Sequence, residues 1–228
     1  MRALAAALAL GYPLLAHAAS HWRSAPLALA AGAILVVLAA LPGIARGHRA
    51  GWFVLVAGLA LLAALAALGN AQLPLFLPPV AINAFLAWLF GHTLLHGRMP
   101  LVERLVRLLH PPAEPLDPRV PPYARRLTAL WTALFVLLAL VAALLALLAV
   151  PGGLLDAAGI ALPLAVPLAT WSLWANLIGY VVVGALFVGE YAWRRLVFPQ
   201  QPYRGFADFT RQVAAAGPRL WHAMRAAD

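Results

Sequence analysis

No cysteine occurs in this chain of 228 residues, which excludes disulfides, thiolate metal sites and a cysteine nucleophile. Lysine is absent too: the sixteen basic residues are all arginine, set against seven acidic ones. Charge of either sign is scarce. Only 10% of residues are charged, where about a quarter is usual for a soluble domain. The motifs of soluble enzymes are missing as well. There is no phosphate loop, no Gly-x-Ser-x-Gly and no dinucleotide fingerprint. Gly91-His92-Thr93 is no nucleophile elbow, because it continues an apolar helix with no strand before it. What is present is 64% hydrophobic residues at a mean hydropathy of +0.89. That composition predicts an all-α, polytopic membrane bundle. The Ala, Arg, Leu and Pro bias without Lys points to a GC-rich bacterial genome.

Apolar runs of roughly 18 residues or more are long enough to cross a bilayer. Six candidates stand out: Leu4–Ala19, Ala25–Ile44, Trp52–Leu68, Leu73–Leu95, Leu127–Val150 and about Leu168–Trp193. Pro78-Pro79 is expected to break the fourth early. The first run ends in Ala16-His17-Ala18, which imitates a signal-peptide cleavage site. Tyr12-Pro13 in its middle suits a retained helix better, and both outcomes stay open. Pro151 to Pro167 is apolar but dense in Pro and Gly. It is expected to be an outer connection touching the interface, with one short helix near Leu154–Ile160.

The arginines orient these runs, because cytoplasmic ends of membrane helices hold Lys and Arg. With six helices and both termini cytoplasmic, fifteen of the sixteen arginines fall inside and only Arg23 outside. A seventh span would put the tail arginines outside, against that bias. The +9 net charge is thus a topology signal, with anionic lipid as its natural contact. It does not point to nucleic acid. The expected organisation is a bundle over 1–193 and a basic cytoplasmic tail over 194–228. The cytoplasmic loop 96–126 should hold an amphipathic helix at 99–110 that lies on the membrane surface, with Leu101, Leu105, Leu108 and Leu109 at helical spacing. The prolines from Pro111 to Pro122 should form a stiff, extended linker. Phe206–Leu220 is a weaker amphipathic candidate.

Few polar residues interrupt the spans, and in lipid such groups usually face the bundle interior. They are Asn83, then Asn176 and Tyr180 at i,i+4, then Glu190 with Arg194 at i,i+4. Helix–helix hydrogen bonding is the plain explanation. Two His pairs also stand at i,i+4, His17 with His21 and His92 with His96. Each could chelate a metal with a third ligand. The two pairs lie at opposite ends of the bundle, however, so no metal or cofactor is expected. A sharper possibility is that His92, Arg98 and Glu190 converge at a cytoplasmic mouth. There a His and a carboxylate could do acid–base work, and an Arg could bind phosphate bidentately.

The block Phe90-Gly91-His92-Thr93-Leu94 and Gly97-Arg98-Met99-Pro100-Leu101-Val102-Glu103-Arg104 is the most distinctive stretch. With it go Tyr123 to Arg126, Trp131, Asn176, Glu190-Tyr191, Arg194-Arg195 and Phe198-Pro199. Together these resemble a family of small bacterial inner-membrane proteins encoded in aryl-polyene and xanthomonadin-type pigment clusters, over most of the chain. Some members carry the label ketosynthase. A thiolase-type ketosynthase needs a Cys nucleophile on a soluble fold, and neither is present here.

The resemblance implies an inner-membrane protein that assists assembly or transfer of an acyl or aryl-polyene chain at the cytoplasmic face. Its partners would be membrane lipids, an acidic acyl carrier protein and other pigment-pathway enzymes. Arg98, Glu103, Arg104, Arg194 and Arg195 are then the candidate contacts for a phosphopantetheine or lipid phosphate. One alternative is a membrane acyltransferase using His92 or His96 with Glu190. Another is a transporter or flippase with Asn83, Asn176 and Tyr180 along the path. Whether the chain is an enzyme stays open at this point.

Overall fold

The computed structural model describes residues 2–95, 97–110, 116–160, 164–198 and 205–225. It is about 82% helical. Helix α1 covers Arg2–His21, α2 Ala25–Ala45 and α3 Arg49–Ala67. Helix α4 covers Leu77–Gly91, flanked by tighter 3₁₀ turns at Leu73–Phe76 and His92–Leu94. Then come α5 at Leu101–Leu109, α6 at Val120–Leu148 and the short α7 at Leu154–Ala157. Helix α8 covers Leu168–Leu173, α9 Gly179–Val197 and α10 Phe206–Arg225. A π-turn at Trp174–Ile178 joins α8 to α9. The strands, β1 at Ala149–Val150 and β2 at Val166–Pro167, are two residues each.

Among the described residues, four stretches are long and apolar enough to cross a membrane: Ala25–Ala45, Arg49–Ala67, Leu73–Leu94 and Val120–Leu148. Large apolar side chains on them face outward, such as Phe53 at 74% exposure. Lipid, unlike water, would solvate that surface. The first and last expected spans are helical too. Helix α1 carries Pro13 inside it, and α9 carries Glu190, Arg194 and Arg195 near its end.

Proline placement departs from expectation twice, for one reason. Pro78 and Pro79 do not break the fourth helix; they occupy the first turn of α4. Pro121 and Pro122 do not extend the linker; they occupy the first turn of α6. First-turn N–H groups have no intrahelical acceptor, so a residue lacking one costs nothing there, and its fixed φ suits a helix. Helix α6 therefore begins at Val120, while Pro111, Pro112 and Pro115 of the expected linker lie outside the described residues. Asp117 helps start α6: its Oδ1 accepts the Arg119 N–H at 2.8 Å, and its carbonyl accepts the Val120 N–H at 2.9 Å. The last expected span also runs past Trp193, to Val197.

The chain divides into two compact units. The first holds Met1–Ile82 and Leu138–Val181. Its main pairing is the α2–α3 hairpin. Ser24 caps α2, its Oγ accepting the Leu27 N–H at 3.4 Å. Past α2, Gly47 sits at φ +72°, the left-handed turn that lets the chain reverse. Glycines bring the two helices close. A Cβ on Gly51 would lie 2.6 Å from the Gly43 carbonyl carbon, and one on Gly58 2.6 Å from Val36 Cγ1. Small residues serve this purpose in membrane helices, where packing replaces hydrophobic association. Alanines of α1 and α2 (Ala16, Ala19, Ala28, Ala31) line the unit's core, with Trp171 tilted against Phe76 at 4.4 Å between ring centres.

In the same unit β1 and β2 pair in parallel, Ala149 opposite Val166 and Val150 opposite Pro167. The two ends of the Pro- and Gly-rich segment are thus held side by side. The short helix expected there is α7, a single turn ending at Ala157.

The second unit holds Asn83–Leu137 and Val182–Asp228. Here α6 buries Ala124, Leu127, Thr128, Trp131 and Phe135, spaced three and four apart on one face. Trp131 and Phe135 stack at 5.6 Å, and Phe90 lies 5.6 Å from Phe135. Phe187 reaches Phe206 at 5.9 Å, and Tyr191 reaches it at 5.0 Å, which ties α10 to α9.

Candidate functional site

The polar groups of the second unit gather where α6 begins and α9 ends. Glu190 and Arg194 share a face of α9, one turn apart, with Arg194 Nε 3.1 Å from Glu190 Oε1. Both side chains are nearly enclosed, at 8% and 12% exposure. The Tyr123 hydroxyl on α6 donates to the same Glu190 oxygen at 3.1 Å. A hydroxyl donor and a cation beside it offset part of the cost of enclosing this side chain. The Tyr123 ring meets Phe198 edge-on at 5.3 Å, and the Arg119 guanidinium lies over Phe198 at 5.4 Å. Arg119 in turn grips Asp117 with its NH2 at 2.8 Å. The Arg119 hydrogen bonds hold the Asp117 carboxyl below its usual range, even though both groups are exposed.

The second feature is the seating of α5. A helix start leaves its first N–H groups without intrahelical acceptors. The residue before α5 is Pro100, which offers no side-chain cap. Two threonines from outside the helix substitute. Thr93 Oγ1 accepts the Leu101 N–H at 3.0 Å while its O–H donates to the Phe90 carbonyl at 2.7 Å. Thr128 Oγ1 accepts the Val102 N–H at 3.3 Å and donates to the Ala124 carbonyl at 2.8 Å. Both threonines are at most 2% exposed. Helix α10 packs against α5. The amphipathic helix expected on the membrane surface is therefore pinned at its start to α4 and α6 and flanked by α10.

The expected site residues have different partners. His92 stacks on Trp88 at 4.7 Å, and its Nδ1–H donates to the Trp88 carbonyl at 2.9 Å. A carbonyl only accepts, so Nδ1 carries a proton, and Nε2 is the nitrogen left for another partner. Glu190 bonds Tyr123 and Arg194; among the described residues no hydrogen bond joins it to His92 or Arg98. Glu103 is buried and bound by Arg107, whose Nε and NH2 lie 2.9 and 2.7 Å from Oε1. Arg98 and Arg195 are exposed, and Arg104 is half-buried. Asn83 is half-buried in α4. Tyr180 is exposed in the first turn of α9, and Asn176 lies in the π-turn before it. His96 falls outside the described residues.

A cleft of about 360 Å³ opens on the outer face of α6, lined by Leu94, Pro122, Arg125, Arg126 and Ala129. The Arg125 NH2 donates to the Leu94 carbonyl at 3.0 Å. In the sequence Arg125 and Arg126 belong to the arginine pattern and to the resemblance, and nothing there marks them as lining a cleft. Sequence reasoning also missed Thr93 and Thr128, although a helix opening after Pro100 without its own cap was a signal that the donors' partners come from elsewhere.

In the first unit, His17 Nδ1 lies 2.9 Å from Ser172 Oγ. Ser172 is fully buried, so this is a tie between helices and not an accessible Ser–His pair. Among the described residues, no group of three or more His, Asp or Glu could hold a metal ion. No family model, no curated protein and no solved structure matches this chain.

Proposed function

We propose that this chain is a multi-pass bacterial inner-membrane protein that assists assembly or transfer of an acyl or aryl-polyene chain at the cytoplasmic face. An acidic acyl carrier protein delivers that chain to a fixed arginine surface around α5. The observation that carries this reading is the seating of α5. Arginines that only orient a chain in the bilayer need no tertiary anchor. Here the helix beside Arg98, Arg104 and Arg107 is held by two buried hydroxyls and flanked by α10. A rigid basic surface suits electrostatic steering and docking of an acidic partner. Burial of Arg194 against Glu190 shifts the expected contact from Arg194 to its exposed neighbour Arg195.

Six spans with both termini cytoplasmic complete the reading. The β1–β2 pairing supports it, since a segment whose ends lie side by side serves as a connection and leaves the tail arginines inside. A reporter fused after Asp228 should score cytoplasmic; a periplasmic score overturns the topology. For docking, Arg98→Ala with Arg195→Ala should weaken a salt-sensitive pull-down of an acidic carrier by roughly tenfold, at about half to one kcal/mol per exposed arginine. Unchanged capture at low salt would sink the carrier reading.

One observation favours a second reading, an acyltransferase. The bond from His92 Nδ1–H to a carbonyl makes Nε2 the nitrogen that would take up or give a proton, the arrangement acid–base catalysis uses. His92→Gln would then abolish product in a protein that still binds the carrier.

A further inference from the structure

We propose that the cleft on the outer face of α6 binds the phosphate head of an anionic membrane phospholipid, with Arg125 and Arg126 as its contacts. Three observations carry this. The first is charge. Two guanidiniums line a cleft of about 360 Å³, and among the described residues no acidic one lines it. Arg125 is steadied by the Leu94 carbonyl and has donors to spare. Arg126 is exposed and makes no hydrogen bond or ion pair among the described residues.

The second is depth. From Leu127 to Leu148, α6 rises roughly 33 Å at 1.5 Å per residue, against a hydrocarbon core of about 30 Å. With that stretch spanning the core, Arg125 and Arg126 stand at headgroup level. The third is the surface below. Pro122, Arg125, Arg126 and Ala129 lie on the side of α6 away from Ala124, Trp131 and Phe135, which are buried. Leu130, Val136 and Leu137 continue that outward surface toward the core and are exposed. An acyl chain could follow this apolar surface while its phosphate meets the two arginines. Bidentate Arg–phosphate pairing supplies the recognition.

The inference stands apart from the carrier reading, which uses Arg98 and Arg195. Its test uses the full chain in detergent, titrated with phosphatidylglycerol and followed by native mass spectrometry. The wild type should bind one phosphatidylglycerol in preference to phosphatidylcholine. Arg125→Ala with Arg126→Ala should weaken that binding roughly tenfold or more, as two lost charge contacts at the surface would. Arg126→Ala alone keeps the Arg125–Leu94 bond and should still weaken it several-fold. Arg46→Ala with Arg49→Ala removes the same charge elsewhere and should change nothing. Equal loss in both double variants would overturn the site, leaving only net charge. Displacement of the lipid by millimolar inorganic phosphate would overturn the lipid assignment in favour of a free-ion site.

Discussion

Replacing Thr93 and Thr128 together by valine should release α5 while leaving the rest of the second unit folded. Valine keeps the shape of threonine, so packing around these buried positions survives. What is lost is one acceptor for the Leu101 N–H, at 3.0 Å, and one for the Val102 N–H, at 3.3 Å. Leu101 is 5% exposed, so water cannot replace the lost partner without local opening. A buried donor left unmade costs about 1–3 kcal/mol. The longer bond to Val102 belongs at the low end, which puts the pair near 3 kcal/mol. The Ala124 carbonyl loses little, since it lies inside α6, whereas the Phe90 carbonyl, at the end of α4, loses its hydroxyl donor. A change of about 3 kcal/mol in a local opening equilibrium corresponds to roughly a hundredfold faster amide exchange. Hydrogen exchange of a peptide covering Leu101–Leu109 reads this directly. Trypsin cleavage after Arg104 or Arg107 gives a second measure. Thr132→Val is the control, since its hydroxyl donates to the Thr128 carbonyl and, among the described residues, makes no hydrogen bond to α5. Unchanged exchange across α5 in the double variant would refute the anchoring, and the carrier reading would lose its support with it.

Two other outcomes follow from the geometry. Glu190→Ala removes the carboxylate paired with a nearly enclosed Arg194 and should cost up to about 3–5 kcal/mol, seen as a lower melting temperature in detergent. Adding Arg194→Leu should recover most of that loss, and a cost below 1 kcal/mol for Glu190→Ala would mean the pair is solvated. Gly51→Ala forces a Cβ to within 2.6 Å of the Gly43 backbone and should destabilise the α2–α3 hairpin by about 1–3 kcal/mol. Gly184→Ala, whose Cβ would meet nothing within 4 Å, should be neutral in the same melt.

Much of the helix layout was legible from hydropathy, because an apolar run long enough for a bilayer has few other stable forms. The prolines misled. Along the chain Pro78-Pro79 reads as a break and Pro121-Pro122 as linker, yet both pairs open α-helices, and only the position of the first turn separates the two roles. The site was half legible. The i,i+4 spacing of Glu190 and Arg194 made their pairing visible, since helix geometry alone brings such residues together. Tyr123 closing on Glu190 from 67 residues away was not visible. Nor was the cleft beside Arg125 and Arg126, because an arginine marking topology and one lining a binding surface look alike along the chain.

By itself the sequence determined the apolar helices, the sidedness of the arginines, the amphipathic character of α5 and the exclusion of thiol chemistry. Each of these depends on composition or on spacing within one helix. Only the tertiary structure decided which arginines are engaged and which face outward. Arg194 and Arg107 are bound to carboxylates a turn away, while Arg126 faces a cleft. It also decided that α5 is anchored, through hydroxyls contributed by residues distant in sequence or outside the helix. Contacts of that kind depend on which helix faces meet, and helical periodicity carries no record of the partner helix.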